Sequence, residues 1–137
     1  MKTLVVDASV AVKWFLPEEG REAAGALLSP EHRLIAPDLL WIEVASVFWK
    51  LARRGSLTPD EAQELFRDTS AFPVEICPSA ELLPEALRIA NETDRTVYDS
   101  LYIALAAKEK AQAVTADERL VNALSKSAWK RSVRNLV

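Results

Sequence analysis

Short β-branched runs alternate along this chain with longer stretches of helical periodicity, and nothing else in the sequence limits the fold as strongly. The strand candidates are Thr3–Val6, Arg33–Ala36, Val74–Ile76, Ala113–Thr115 and Ser132–Leu136. Helical stretches fall near Ser9–Leu16, Gly20–Leu28, Asp38–Arg54, Pro59–Ser70, Ala80–Glu92, Ser100–Lys110 and Glu118–Ser127. Parallel strands need a crossover between them, and a helix is the compact way to make one. The alternation therefore predicts an α/β fold, with a mainly parallel sheet of about five strands covered by helices on both faces. With 137 residues and no repeat or linker, the chain reads as a single domain over 1–137 with a proper core.

Several boundaries carry their own chemistry. Thr58-Pro59-Asp60-Glu61 offers an N-cap Thr, a Pro at the first helical position and a Glu three residues after the cap. Gly55 after Arg53-Arg54 is a helix stop, and Pro37-Asp38 is expected to start that same helix. Pro84 sits badly inside its segment, so that helix is expected to begin near Pro84 rather than at Ala80.

Four carboxylates interrupt otherwise apolar surroundings. Asp7 follows Leu4-Val5-Val6, Glu43 lies within Leu39–Ala45, Asp99 within Val97–Ile103, and Asp117 follows Ala113–Ala116. Asp7, Asp99 and Asp117 each stand where an acid can cap a helix. Glu43 falls in a helix interior, where capping fails. Asp7 and Asp117 also end strands, and open parallel sheets form ligand sites beyond the carboxyl ends of their strands. Ser9 and Thr115 place a hydroxyl two residues from each, and strands one and four are expected to be neighbours at the sheet centre. No Lys or Arg stands beside these acids within their own motifs. A charge at a core edge is costly unless paired or bound to a metal, so a divalent cation is the expected compensation if the fold gathers the four. Asp38, Asp60, Glu61, Asp68, Asp94 and the Glu18-Glu19 pair sit in polar or capping contexts and read as structural.

Composition narrows the remaining classes. Half the residues are hydrophobic and 27% charged, which excludes a disordered chain. One cysteine, Cys77, and one histidine, His32, exclude a disulfide framework and a Cys/His zinc site. His32 is expected in a loop, which leaves a histidine-dependent nuclease mechanism unsupported. No signal-peptide pattern and no bilayer-length apolar run is evident, so the protein is expected to be cytoplasmic, without membrane contact. Net charge is only −3, yet no acid follows Glu118, and the last segment is basic through Arg119, Lys126, Lys130, Arg131 and Arg134.

Taken in order, Val5-Val6-Asp7-Ala8-Ser9, Trp41-Ile42-Glu43-Val44-Ala45-Ser46, Tyr98-Asp99-Ser100-Leu101-Tyr102-Ile103-Ala104-Leu105-Ala106 and Thr115-Ala116-Asp117-Glu118-Arg119-Leu120 resemble the PIN-domain ribonucleases. The likeness is greatest to VapC-type toxins of VapBC toxin–antitoxin pairs, and it runs over essentially the whole chain. It implies a three-layer α/β/α fold with Asp7, Glu43, Asp99 and Asp117 converging to hold Mg²⁺ or Mn²⁺. Ser9 and Thr115 match hydroxyl positions that help organise such a site. Arg119 stands where some members carry a further acid.

The chemistry expected is hydrolysis of RNA phosphodiester bonds by a metal-activated water. Asp7 and Asp99 are expected as the principal ligands, with Glu43 and Asp117 ligating through water or orienting the nucleophile. Because clustered acids repel RNA, basic residues should rim the cleft, and the candidates are Lys13, Lys50, Arg53, Arg54 and Arg119. Trp41, Phe48 and Trp49 on one helix suggest a contact surface for a homodimer or an antitoxin, whereas the tryptophans generally fit a core better than base stacking. Two other classes are weighed. A non-catalytic module could keep the fold without activity. A phospho-accepting receiver domain would need paired acids after strand one, where this chain has Asp7-Ala8-Ser9.

Overall fold

The structure is a computed structural model describing all residues, 1–137. Its single sheet contains β1 (Lys2–Val6), β2 (His32–Pro37), β3 (Val74–Cys77), β4 (Gln112–Thr115) and β5 (Val133–Asn135). All neighbours are parallel and the spatial order is β3-β2-β1-β4-β5. Val5 pairs with Ile35 on one side and Ala113 on the other, so β1 is central. Leu4, Val5 and Val6 are fully buried, as expected for a strand covered on both faces.

The chain moves outward from β1 through β2 to β3, then crosses back to β4 and β5. Right-handed crossovers put the helices of these two excursions on opposite faces. Strand order therefore reverses between β1 and β4, a place where α/β sheets open a crevice.

Helices fill the connections, with ends that differ from the sequence reading for local reasons. The first segment is α only over α1 (Ala8–Ala11) and tightens to a 3-10 turn over Val12–Trp14. Pro17 disfavours helical geometry at Leu16, and the Trp14 indole is tied to the Ala24 carbonyl at 2.8 Å. Helix α2 (Arg21–Ala26) starts after Gly20, whose φ of 87° suits glycine. Helix α3 (Leu40–Arg53) begins later than Pro37-Asp38 implies. Pro37 still belongs to β2, and the Asp38 carboxylate accepts a hydrogen bond from Ser79 instead of capping α3. Helix α4 (Pro59–Arg67) has the expected capping box, in which Thr58 Oγ1 accepts from Glu61 N and Glu61 Oε1 accepts from Thr58 N. Residues Asp68–Ala71 then continue as a 3-10 turn. Pro84 lies in the first turn of α5 (Leu83–Thr93), as its chemistry requires.

Helix α6 (Val97–Lys108) matters most for the site. Seven consecutive residues, Ser100–Ala106, are buried, because α6 packs on α5 and across β1, β2 and β4. An apolar surface on every side is what such a helix needs. Thr96, rather than Asp99, caps it by accepting a hydrogen bond from Asp99 N at 3.0 Å. Helix α7 (Glu118–Leu124) leads to β5. One continuous hydrophobic cluster joins these layers and takes in Trp14, Phe48 and Trp129. Phe15 meets the edge of Phe48, and Trp14 stacks on Phe72, fixing the segment after α1 against α3 and the residues leading into β3. No helix is long and apolar enough to cross a membrane.

Candidate active site

Asp7 stands at the N-cap of α1 without capping it. Its Oδ2 instead accepts hydrogen bonds from Ser9 Oγ at 2.6 Å and Thr115 Oγ1 at 2.8 Å. Those hydroxyls are also held from behind: Ala116 N donates to Ser9 Oγ and Asp117 N donates to Thr115 Oγ1. The β1–β4 pairing creates this cross-link, since it sets Val6 beside Val114 and so brings the two strand ends together. The Asp7 side chain is buried, with the residue only 8% exposed. Burial drives its carboxyl above the usual range against the Ser9 and Thr115 hydrogen bonds, and the Asp99 charge raises it further.

Glu43 lies on the first turn of α3 and not in the helix interior expected, because α3 starts only at Leu40; it stands on the flank of the Leu40, Val44 and Phe48 core stripe. Its Oε1 accepts a 2.6 Å hydrogen bond from the Tyr102 phenol. Tyr102 is 1% exposed and follows Asp99 by three residues, so one face of α6 presents both groups. Burial raises the Glu43 carboxyl, the Tyr102 bond opposes this, and the charges of Asp7 and Asp99 add to it. Burial and the Glu43 charge push the Tyr102 phenol far above its ordinary value. Tyr102 therefore remains a donor at any working pH. Asp7, Glu43 and Asp99 thus sense one another as like charges.

Asp99 and Asp117 are joined by a residue absent from the candidates. Arg95 Nη2 lies 3.1 Å from Asp99 Oδ2 and 3.4 Å from Asp117 Oδ2. Arg119 Nε also approaches Asp117 Oδ1 at 3.7 Å. No Lys or Arg stands within the motif of Asp99, but Arg95, four residues before it and just ahead of the Thr96 cap, supplies a cation from outside that motif. Asp117 serves two purposes, because Oδ1 accepts from Arg119 N to cap α7 while Oδ2 faces Arg95. Tyr102 was legible as the i+3 position on the Asp99 face of a helix, whereas Arg95 lies in the turn before the Thr96 cap, where helical spacing gives no signal.

The basic candidates separate. Lys13 and Arg119 line a depression beside Thr115 and Asp117. Lys13 Nζ donates to the Glu19 carbonyl at 2.6 Å and pairs with Glu18, whereas the Arg119 side chain is 87% exposed. Lys50 and Arg54 follow Glu43 by two and three helical turns, roughly 10 and 16 Å along α3. Arg53 lies over the Trp49 ring in a different, apolar groove. Of the basic candidates, only Arg119 makes an ion pair with one of the four acids, to Asp117. Trp14 and Trp129 belong to the core. Trp41 is half-buried and Trp49 is 56% exposed. His32 opens β2 instead of lying in a loop, at the strand end opposite to that of Asp7.

The structure defines an α/β domain with a five-stranded parallel sheet and acids at the carboxyl ends of β1 and β4, next to further acids on α3 and α6. The sequence matches the PIN domain over residues 4–124. It is 39% identical to Ribonuclease VapC3 of Pyrobaculum aerophilum over 119 residues, 85% of this chain and 91% of that protein. The fold is similar to PAE2754 from Pyrobaculum aerophilum, with a TM-score of 0.69, 22% identity, and coverage of 98% of this chain and 84% of the other. A toxin–antitoxin complex from Klebsiella pneumoniae gives a TM-score of 0.68 at 13% identity, covering 98% of both chains. The chain belongs to the PIN-domain family, and within that family it is similar to the VapC-type ribonucleases.

The side chains gathered here are hard oxygen donors of the kind that suit Mg²⁺ or Mn²⁺. Two of them, Asp7 and Glu43, are raised by burial and by neighbouring acids, a strain that a bound cation relieves. No three His, Cys, Asp or Glu side chains have closed to metal-ligating spacing in this structure, in which Arg95 is bonded to two of the acids. The donor chemistry fits such a cation.

Proposed function

We propose that this protein is a divalent-cation-dependent endoribonuclease, the toxin component of a toxin–antitoxin pair. The observation that carries the reading is the arrangement of Asp7, Glu43, Asp99 and Asp117 around the β1–β4 reversal of a PIN domain 39% identical to a named ribonuclease. Asp7 and Asp99 would hold Mg²⁺ or Mn²⁺, with Glu43 and Asp117 completing the set. When bound, such a cation supplies an activated water and offsets the charge that develops on phosphorus.

The chain's own residues prepare that event. Ser9 and Thr115 lock one oxygen of Asp7, which leaves the orientation of the other defined. Tyr102 holds one oxygen of Glu43, and the raised carboxyl suits Glu43 to take a proton from a nucleophilic water. Arg119 and Lys13 supply positive charge beside Asp117 for the RNA backbone.

A partner surface is available on α3 and α4. Phe48, Trp49, Ala62 and Phe66 line a largely apolar groove, and Trp49 and Ile42 are exposed there or close by. We assign it to the antitoxin or to a second copy of the chain, in line with the toxin–antitoxin complex of similar fold. The decisive test is RNA cleavage with Mg²⁺ or Mn²⁺ by wild type, Asp7→Asn and Asp99→Asn. Loss of cleavage in both variants is expected, and undiminished cleavage in both sinks the assignment.

A further inference from the structure

Arg95 is the one cation that reaches two of the four acids. It stands in the tight turn between α5 and α6. Asp94 before it takes a left-handed φ of 59°, and Thr96 after it caps α6, so the turn aims the arginine back over the first turn of that helix. There Nη2 alone serves both Asp99 Oδ2 and Asp117 Oδ2. A permanent arginine–carboxylate pair commonly engages two parallel N–H donors of the planar fork. Here one nitrogen is shared between two carboxylates from different elements, and the buried Nε has no partner at all. The guanidinium satisfies the acids without being satisfied itself.

That asymmetry has a physical reading. Asp99 faces Asp7 and Glu43 as a like charge, and Asp117 is held close by through Thr115 and the β4 end. A metal-free cluster of this kind needs positive charge to stay assembled. A guanidinium that binds through one atom can supply it and can also leave, because a divalent cation offers each carboxylate a stronger partner. Once it leaves, its fork stays tethered to the rim by the Asp94–Thr96 turn and matches the oxygens of a phosphodiester.

We propose that Arg95 is an exchangeable counter-ion of this site: it holds Asp99 and Asp117 in the metal-free protein, is displaced when a divalent cation binds them, and then faces the RNA backbone. The inference rests on the metal-dependent reading given above. It assigns Arg95 a positioning role toward the two acids and a contact with the substrate backbone.

Mn²⁺ binding measured by calorimetry on full-length wild type, Arg95→Gln and Arg95→Lys tests it. Removing a competing charge should tighten Mn²⁺ binding in Arg95→Gln roughly tenfold, while Arg95→Lys stays near wild type and metal-free Arg95→Gln melts at a lower temperature. A scaffold role gives the opposite sign, so unchanged or weaker binding in Arg95→Gln overturns the exchange and leaves the metal reading standing. Absence of binding in wild type and both variants removes the metal reading and this one together. The wild-type protein gives a second readout that needs no variant. The Arg95 Nε–H resonance should shift and exchange faster with solvent as Mg²⁺ saturates the site, and a signal unchanged at saturation overturns the proposal.

Discussion

The Tyr102 phenol donates to Glu43 Oε1 at 2.6 Å across 59 residues of sequence, tying the middle of α6 to the first turn of α3. Tyr102 is buried and Glu43 half-buried, the bond is charge-assisted when Glu43 is ionised, and it opposes the upward pull of burial on that carboxyl. Tyr102→Phe should therefore cost about 1–3 kcal/mol of stability. It should also raise the Glu43 carboxyl further, moving the acid limb of the cleavage pH profile to higher pH. A profile that stays in place separates Glu43 from the proton transfer assigned to it.

Thr115 makes one donation to Asp7 and accepts one bond from Asp117 N, so a single hydroxyl serves two acids. Thr115→Val keeps the shape and removes both bonds, and should cost about 1–3 kcal/mol together with most of the cleavage activity. Thr115→Ser should restore both. Chemical denaturation and cleavage rates measured on the same two variants check this.

Metal-free stability should depend on pH in a defined direction. The folded Asp7 carboxyl lies above its ordinary value of 3.8, chiefly through burial, so folding favours its protonated form. The stability linked to this group is fully present below pH 3.8 and is lost as pH rises through the folded value. Glu43, raised from 4.5 for the same leading reason, adds in the same sense. Asp7→Asn removes the first contribution. In chelator-treated protein, Asp7→Asn should gain on wild type as pH rises from acid to neutral, with no gap below pH 3.8. Urea unfolding across that range reads the gap, and a gap that does not vary with pH contradicts the account.

The basic candidates should behave as two groups. Arg119→Ala should weaken RNA binding and flatten its salt dependence by about one phosphate contact. It should leave stability almost unchanged, because that side chain is 87% exposed. Lys50→Ala and Arg54→Ala, at the far end of α3, should leave both the affinity and its salt slope as in wild type. Filter binding of RNA to the Asp7→Asn protein at several salt concentrations distinguishes the groups.

A last variant separates fold from site. Thr58→Ala breaks the capping box of α4, far along the chain from the acids, and should cost about 1 kcal/mol with cleavage unchanged. Thermal denaturation and a cleavage assay at a permissive temperature report the two effects independently.

Asp7 and Thr115 show how far the sequence carried the site. Each ends an apolar run with a polar side chain, which was enough to place both at strand ends. The bond between them spans 108 residues and depends on β4 lying beside β1. Thr96 shows the limit of local reading in the other direction. It took the cap that Asp99 could have made, so Asp99 is free to face the other acids.

The sequence by itself determined the α/β alternation, the capping box at Thr58, the start of α5 near Pro84 and the four acids, because each of these is written in adjacent residues or in one helical period. Only the tertiary structure decided that Arg95 reaches Asp117 across 22 residues, that Tyr102 holds Glu43, and that Arg53 lies over the Trp49 ring. Those outcomes depend on strand order and on which helix faces meet. Strand order is settled by burying one core from all the elements at once, a collective balance that no local stretch encodes.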